Sequence, residues 1–254
     1  MSPGAEADAE DAAARPVAPQ PWWERAFGRE YLEIYAHRDD ASAHEEIQAL
    51  LPRLRGAPGP VLDACCGHGR HLAALRSAGV RAVGFDLSPQ LLQAASRRPA
   101  CQGLLARADA RCSGFTQGLG AVLLLFTAFG YFSDEENLAC LRSLGALLAP
   151  GGWLVIDLPD PLRLRQSLQS STSRVLSNGH RVDERRRCDG ARVIKDISYR
   201  GESWSESVRL YQASEIAQLA EQAQLRLEET WPSLLGPLRD QGRQVHWLRR
   251  PLVG

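Results

Sequence analysis

Two glycines in a short loop, followed by an aspartate on a later segment, are the clearest chemical signal in the sequence. Residues 61–71 read Val-Leu-Asp-Ala-Cys-Cys-Gly-His-Gly-Arg-His, so Gly67 and Gly69 lie in a loop that follows an apolar segment. Glycine lets the backbone approach a ligand that a side chain would exclude. Asp86 ends the next apolar segment, where a carboxylate can accept hydrogen bonds from both hydroxyls of a ribose. Asp109 follows a third segment, within reach of an adenine edge.

Proteins that bind NAD also combine a glycine-containing loop with a later acidic residue. Their fingerprint, however, requires glycine or alanine at the last position of Gly-x-Gly-x-x-Gly, and Leu72 occupies that position here. Leu72 and the Phe-Gly-Tyr-Phe segment at 129–132 therefore disfavour a nucleotide-dependent oxidoreductase, which stays the alternative enzyme class.

These residues must be positioned by a regular series of strands and helices. Short apolar segments alternate with segments of helical periodicity, which predicts a parallel sheet covered by helices on both faces. Ser88-Pro89 and the Ser133–Glu136 capping box predict two of the helix starts. The predicted parallel strands are 61–63, 81–86, 104–105, 121–126 and 153–158.

After Pro161 the character of the chain changes. Segments 181–186, 191–199 and 206–211 are short, charged and β-prone, and Gly-containing turns separate them. They predict antiparallel hairpins over one edge of the sheet. A helix over 214–223 and strands near 225–231 and 244–248 are expected to close the domain.

Taken together, these motifs resemble those of the class I, Rossmann-like S-adenosylmethionine-dependent methyltransferases, over nearly all of residues 21–250. Within that class the chain is similar to a bacterial, small-molecule-type subgroup with three marks. These are a Trp-Trp and Tyr-rich first helix, a Cys-Cys-Gly-x-Gly-Arg-His loop and a Leu-Phe-x-x-Phe-Gly-Tyr-Phe segment, here at 21–23, 65–71 and 125–132. The resemblance implies a doubly wound, mostly parallel seven-stranded sheet with an antiparallel β lid insertion.

The resemblance also implies S-adenosylmethionine as the cofactor and a set of residues that bind it. Asp63 and the loop 64–69 would hold its methionine part, Asp86 its ribose, and Phe126 would face its sulfonium end. Leu87 would pack on the adenine, and Asp109 with Ala110 would bind the adenine edge. The cofactor-binding residues expected on this basis are Asp63, Ala64, Cys65, Gly67, Gly69, Asp86, Leu87, Asp109, Ala110 and Phe126.

The expected methyl acceptor is a small molecule in an apolar pocket that excludes water. Tyr31, Phe129, Tyr131 and Tyr211 are the residues predicted to line it. A general base is needed only where the nucleophile holds its proton at neutral pH, as an alcohol does. His68, Tyr131 and Tyr211 are the hypotheses for that base, and the catalytic residues are otherwise open.

Two positions depart from the pattern of these enzymes. An acid often found before the fourth strand is Gly120 here, and an asparagine common within that strand is Leu124. Both are expected near the reaction centre. A catalytically silent cofactor-binding protein of the same fold therefore stays an alternative, as does an RNA or protein methyltransferase.

The composition of the chain narrows the classes of partner that the protein is expected to bind. The formal net charge of the 254 residues is zero, and Lys195 is the only lysine among 30 basic residues, so no basic excess favours nucleic acid or an acidic membrane. The six cysteines lack CxxC spacing, and His68 with His71 lacks a further ligand, so no metal site is predicted. Residues 1–20 do not read as a signal peptide, and no apolar run is long enough to cross a bilayer. These features favour the cytoplasm.

The domain organisation follows from the same signals. Residues 1–20 are predicted to be a disordered tail, and residues 21–254 a methyltransferase domain. Within it, residues 21–55 would form an N-terminal helical cap and residues 162–212 the β-rich lid. The sequence leaves the oligomeric state open.

Overall fold

Two strands at the centre of the molecule, β1 (Val61–Ala64) and β4 (Leu119–Leu124), are buried along their whole length. Apart from Asp63 they carry no charge, as expected for parallel strands covered on both faces. The computed structural model describes residues 21–252 and places these strands side by side and parallel. The predicted tail, residues 1–20, lies outside the described residues.

The described residues form eleven strands and eight α-helices, with a short 3₁₀ turn at Pro99–Cys101. The other strands are β2 (Ala82–Asp86), β3 (Leu105–Arg107), β5 (Leu148–Pro159), β6 (Ser171–Val175), β7 (Arg181–Asp189), β8 (Arg192–Tyr199), β9 (Glu202–Arg209), β10 (Arg226–Trp231) and β11 (Arg243–Arg249). The helices are α1 (Trp22–Ala26), α2 (Arg29–Ile34), α3 (Asp40–Leu54), α4 (Arg70–Ser77), α5 (Pro89–Ser96), α6 (Asp134–Ala146), α7 (Pro161–Ser167) and α8 (Ala213–Gln222).

The main sheet has seven strands in the order β10-β11-β5-β4-β1-β2-β3. The five strands from β5 to β3 are parallel to one another, whereas β11 runs antiparallel to both β5 and β10. The strand order reverses between β1 and β4, and open α/β sheets bind ligands at the carboxyl ends of the strands at such a point. The predicted fold class is confirmed, and the fold places the glycine loop at this switch point.

The hairpins form a second, four-stranded antiparallel sheet, β6-β7-β8-β9, which we call the lid sheet. Its turns contain Gly179, Gly190 and Gly201, each with positive φ, as expected for the predicted Gly-containing turns. The lid sheet shares a small hydrophobic core with the N-terminal helices, where Trp204 and Val182 pack with Ala26 and Ile34. Helix α7 and strand β6 were not predicted, and the Ser-Thr-Ser-Arg-Val sequence of β6 lacks the apolar alternation of a strand.

Local chemistry explains most helix starts. The Ser88 side chain accepts a hydrogen bond from the Leu91 N–H at 3.2 Å, and Ser133 forms the predicted capping box with Glu136. The aromatic N-terminal run forms two short helices instead of one, because the chain leaves helical geometry at Gly28. None of the helices within residues 21–252 has the length and apolar character needed to span a membrane.

Candidate active site

A cavity of about 790 Å³ opens at the carboxyl ends of β1, β2 and β4, and we call it the main cavity. The loop after β1, the end of β2 and the chain after β3 form its floor, and helices α1 to α3 form its outer wall. Of the predicted cofactor-binding residues, eight line it: Asp63, Cys65, Gly67, Asp86, Leu87, Asp109, Ala110 and Phe126.

The other two predicted residues of the loop support it from behind. Ala64 is buried in the core of the sheet and does not line the cavity. A Cβ on Gly69, which has φ +77°, would lie 3.0 Å from Cys101 Sγ and 3.1 Å from Ala95 Cβ. Gly69 therefore allows close packing of the loop against the following elements, whereas a Cβ on Gly67, which has φ +56°, would meet only Leu91 Cδ1, at 3.9 Å.

Asp86 connects the glycine loop to the end of β2. Its Oδ2 accepts a hydrogen bond from the Gly67 N–H at 2.8 Å, and its Oδ1 accepts one from the Ser88 N–H at 2.8 Å. Burial raises the pKa of this carboxyl, while the backbone donors act to lower it. Each oxygen keeps a second lone pair, so the carboxylate can also accept from two hydroxyls of a ligand in the cavity.

Apart from the Trp23 indole N–H, three buried polar atoms of residues that line the main cavity have no hydrogen-bond partner within residues 21–252. They are Asp63 Oδ2, Arg70 Nη2 and Arg38 Nε, and all three residues line the cavity. Burial raises the pKa of Asp63 to about 7, although the nearby Arg70 acts to lower it. Buried polar groups are normally satisfied, and an acceptor with two donors left open together would suit a ligand that carries a cation and an anion.

Arg70 is held in this position by Glu46 of α3. Arg70 Nη1 donates to Glu46 Oε2 at 2.9 Å, and His71 Nε2 lies 2.7 Å from the same oxygen. This arrangement gives His71 a structural role, and the described residues contain no group of three or more His, Cys, Asp or Glu side chains arranged to hold a metal. All six cysteines are free thiols.

At the opposite end of the main cavity, Leu87 and Ala110 supply apolar walls and Asp109 a carboxylate. Arg111 Nη2 donates to Asp109 Oδ2 at 2.8 Å, and hydrogen bonds from Arg111 hold the pKa of Asp109 below its usual value. Arg111 also pairs with Glu136 of α6 at 2.7 Å. The sequence analysis missed Arg111, although its position two residues after Asp109 is typical of a short local pair.

The chain after β4 makes a strained turn at the junction of two cavities. Phe126 and Thr127 have φ of +62° and +65°, unusual for bulky or β-branched residues, so β4 ends at Leu124 and not at Phe126 as predicted. The Phe126 N–H donates to Asp157 Oδ2 at 2.8 Å, and Arg243 binds the same carboxylate. Asp157 was missed, although a carboxylate in an otherwise apolar strand could have been singled out.

Three guanidinium groups surround the Phe126 ring. The Cζ of Arg38 lies 3.7 Å from the ring centroid, that of Arg70 lies 4.9 Å away, and that of Arg243 lies 5.3 Å away. The electron-rich face of an aromatic ring attracts cations, so the ring already sits in a strongly cationic setting.

A second cavity of about 420 Å³ lies between this turn, α7 and the lid sheet. We call it the lid cavity. The lid cavity and the main cavity share part of their walls. Six residues line both cavities: Phe27, Tyr31, Tyr35, Arg38, Phe126 and Tyr131. A ligand that reaches Phe126 from the main cavity would therefore meet a ligand in the lid cavity.

Of the predicted acceptor-pocket residues, Tyr31 and Tyr131 line both cavities, whereas Phe129 and Tyr211 line neither. This is a correction to the prediction. Phe129 packs on Tyr211 in the main core with ring centroids 5.6 Å apart, and the Tyr211 hydroxyl is hydrogen-bonded to Asn137 and Asp134. Within the Phe-Gly-Tyr-Phe segment Tyr131 and Phe132 line the main cavity and Phe129 does not, so only part of the segment faces the cavities.

The three residues considered as the general base differ in position and in the direction of their pKa shifts. Tyr211 is removed from the cavities, and burial raises its pKa further above the usual value. Burial likewise raises the pKa of Tyr131 well above 10, so its hydroxyl keeps its proton. Burial lowers the pKa of His68 to about 4, with Arg98 and Arg70 adding to the effect, so the imidazole is neutral at pH 7. His68 lines the main cavity but not the lid cavity.

Gly120 and Leu124 line neither cavity, contrary to the expectation that both lie near the reaction centre. Gly120 is near the amino end of β4, and a Cβ there would lie 2.5 Å from the Gly59 carbonyl oxygen. Leu124 is fully buried in the core of the sheet. Close backbone packing and core formation account for both residues, so neither counts against activity.

The comparisons with known proteins agree with this geometry. A family model described as a methyltransferase domain matches residues 35–230. The demethylmenaquinone methyltransferase of Thermus thermophilus is 35% identical over 114 residues, which cover 42% of this chain and 51% of that protein. A dTDP-3-amino-3,6-dideoxy-alpha-D-glucopyranose N,N-dimethyltransferase of Streptomyces fradiae is 29% identical over 122 residues, covering 48% of this chain and 46% of that protein. The chain spans about half the length of these two relatives.

Solved structures share the fold over most of the chain. An S-adenosylmethionine-dependent methyltransferase from Clostridium acetobutylicum superposes with a TM-score of 0.74 at 17% identity, covering 91% of this chain and 99% of that one. An amino pentose methyltransferase from Micromonospora echinaspora, solved with its cofactor bound, gives a TM-score of 0.68 at 22% identity, covering 87% and 97%. By its fold and by the family model that matches residues 35–230, this chain belongs to the methyltransferase domain family.

Proposed function

We propose that this protein is an enzyme that transfers the methyl group of S-adenosylmethionine to a small-molecule acceptor. The observation that carries the proposal is the set of unpartnered atoms in the main cavity. The methionine end of S-adenosylmethionine has an ammonium and a carboxylate. Asp63 Oδ2 would accept from the ammonium, and Arg70 Nη2 and Arg38 Nε would donate to the carboxylate.

The remaining residues of the main cavity fit the rest of the cofactor. Asp86 has free lone pairs for the two ribose hydroxyls, and Leu87 with Ala110 offers apolar surface to the adenine. Asp109 accepts hydrogen bonds from Arg111 on both oxygens, so it would accept from the adenine edge where an Arg111 contact is released. Phe126 would lie beside the sulfonium end as part of the wall that excludes water.

When bound, S-adenosylmethionine supplies a methyl group on a positively charged sulfur. A lone pair of the acceptor forms the new bond to the methyl carbon, while the electron pair of the carbon–sulfur bond stays on sulfur. The protein's part is to align the two molecules at Phe126 and to exclude water. Alignment of well-placed partners contributes on the order of 7 to 11 kcal/mol to such reactions. The aromatic residues shared by the two cavities supply the water-excluding wall.

The finer assignments are part of the same proposal. The three motifs at 21–23, 65–71 and 125–132 support membership of the bacterial small-molecule-type subgroup. We infer a methyltransferase domain over 21–254 with a helical cap at 21–55 and a lid at 162–212, which the position of α7 and the lid sheet supports. The free thiols support a reducing cytoplasmic location, and the balanced net charge supports a small acceptor in preference to RNA.

Calorimetric titration of the purified chain tests the cofactor. S-Adenosylmethionine and S-adenosylhomocysteine are expected to bind with micromolar affinity, because the main cavity offers partners along their whole length. NAD is the control, since its second nucleotide has no counterpart in the amino-acid-binding end of the cavity. Binding of NAD in preference to S-adenosylhomocysteine would contradict the proposal.

A further inference from the structure

The lid cavity contains the only lysine of the chain, and it sits in a charged row across the lid sheet. Lys195 on β8 lies directly opposite Glu206 on β9 and Arg186 on β7 in the strand register. Lys195 Nζ is 2.6 Å from Glu206 Oε2 and also donates to the Tyr35 hydroxyl. All four residues line the lid cavity.

Lysine at this position has a property that arginine would not supply. Its ammonium is compact and carries three N–H donors that rotate together, whereas a guanidinium is a fixed planar fork. Glu206 and Tyr35 use two donors, and among residues 21–252 the third donor has no hydrogen-bond partner. Burial acts to lower the pKa of Lys195, but Glu206 and Tyr35 more than offset it, so the pKa is raised and the ammonium keeps its charge.

The charges around the lid cavity disfavour an amine as its ligand. Four cations line it, Arg38, Arg186, Lys195 and Arg243, against the single carboxylate of Glu206. Lys195 already pairs with Glu206, so among the described lining residues no carboxylate is left unpaired for an ammonium. The acids that pair with Arg186 and Arg243, Glu184 and Asp157, are buried behind the wall. An oxygen atom, in contrast, would find the third donor of Lys195.

The remaining walls fit a flat, apolar molecule of one or two rings. Trp22, Phe27, Tyr31 and Tyr131 form one side, and Val193 with Val208 of the lid sheet forms another. A volume of about 420 Å³ lies at the lower end of the range for small-molecule sites. Aromatic and aliphatic side chains favour an aromatic ring over a strongly hydrated sugar.

We propose, building on the methyl transfer proposed above, that the lid cavity binds the methyl acceptor as a phenol, with its oxygen at Lys195 Nζ and its proton passing to Glu206. The O–H bond breaks, its electron pair stays on the oxygen, and the proton forms a bond to the Glu206 carboxylate. Glu206 passes the proton on to solvent and is ionised again at equilibrium, while the Lys195 ammonium stabilises the phenolate. Glu206 thus takes the role for which sequence reasoning considered His68, Tyr131 and Tyr211.

The probe for the experiment is 4-nitrophenol, whose visible absorption reports directly whether it is ionised. It is titrated with pH in the presence of the full-length protein, both free and saturated with S-adenosylhomocysteine. We expect the apparent pKa of the bound probe to fall by about one unit, because an opposite charge favours the ionised form. An unchanged pKa, or failure of 4-nitrophenol to bind to either form, overturns the proposal.

Three variants locate the effect. Lys195→Met is expected to abolish the pKa shift, and Glu206→Gln to enlarge it, because the carboxylate that opposes the phenolate is gone. Arg187→Gln is the matched control, since Arg187 lies on the same sheet but is exposed and paired with Asp196. Thermal melts establish that each variant is folded. If Lys195→Met does not fold, the pKa shift in Glu206→Gln tests the assignment. A shift that persists in Lys195→Met and does not grow in Glu206→Gln contradicts the assignment.

Two ligands of similar size distinguish the acceptor classes. 4-Nitrobenzylamine offers an ammonium, and 4-nitrobenzoate offers an anion with no proton for Glu206. Both are expected to bind more weakly than 4-nitrophenol, and tighter binding of either contradicts a phenol site. Calorimetry with S-adenosylhomocysteine is a separate readout, so loss of cofactor binding would count against the proposed function, while the 4-nitrophenol titration of the free protein still decides the acceptor site.

Discussion

Asp157 and Arg243 form a two-bond ion pair directly behind the strained turn at the end of β4. Arg243 Nε lies 2.5 Å from Asp157 Oδ1, Arg243 Nη2 lies 2.8 Å from Oδ2, and Asp157 is completely buried. The same carboxylate accepts the Phe126 N–H, and the Asp157 carbonyl accepts the Thr127 N–H at 2.9 Å. The pair therefore holds two residues with positive φ in the position where the two cavities meet.

Removing the charge of Asp157 is expected to lower the free energy of unfolding substantially. Asp157→Asn leaves Arg243 without its partner beside a buried amide, and breaking a buried ion pair costs about 3 to 5 kcal/mol. Urea denaturation measures the free energy of unfolding. Asp240→Asn is the control, because Asp240 pairs with Arg163 at the exposed surface, where such pairs contribute about 0 to 1 kcal/mol. Equal losses in the two variants would contradict the role given to Asp157.

The close approach of Gly120 to Gly59 predicts a purely structural role for Gly120. Gly120→Ala places a Cβ against the Gly59 backbone, and overpacking of this kind costs about 1 to 3 kcal/mol of stability. The affinity for S-adenosylhomocysteine is expected to be unchanged, because Gly120 does not line the main cavity.

Gly145 supplies the comparison for that substitution. A Cβ at Gly145 meets only the Leu225 side chain, at 3.1 Å, and a side chain can shift where a backbone cannot. Alanine also favours the helix over glycine by about 1 kcal/mol. Gly145→Ala is therefore expected to lose less stability than Gly120→Ala by denaturation, and the reverse order would show that the steric explanation for Gly120 is wrong.

The raised pKa of Asp63 predicts a pH-dependent affinity for the cofactor product. In the free protein Asp63 has a pKa of about 7, so at pH 6 it is mostly protonated and at pH 8 mostly ionised. An ammonium at Asp63 favours the carboxylate, so binding lowers the pKa and releases a proton. The affinity for S-adenosylhomocysteine is thus expected to rise about tenfold from pH 6 to pH 8.

Calorimetry in two buffers of different ionisation enthalpy measures the proton released on binding. Asp63→Asn has the same shape and no titration, so its affinity is expected to be lower and flat over this range. A wild-type affinity that falls as the pH rises from 6 to 8 would contradict the contact between Asp63 and the ammonium.

The sequence was sufficient to predict the sheet, because signals such as the apolar strands, the Ser88 cap and the Ser133 capping box are local. The glycine loop and Asp86 could also be placed, since the carboxyl ends of neighbouring parallel strands must meet. Arg38 and Arg243 could not, because their importance arises from contacts between residues far apart in the chain. The errors at Phe129 and Tyr211 have a related cause, since a motif names residues but not the side to which each one points.

Asp86 provides the most direct test of the central claim that the main cavity binds S-adenosylmethionine. We expect Asp86→Ala to weaken the binding of S-adenosylhomocysteine at least tenfold by calorimetry, because it loses the ribose acceptor and the bond that fixes Gly67. Asp183→Ala, at an exposed position on the lid sheet, is expected to bind like the wild type. Circular dichroism confirms that both variants are folded. A folded Asp86→Ala protein with wild-type affinity would contradict the assignment of this cavity to the cofactor.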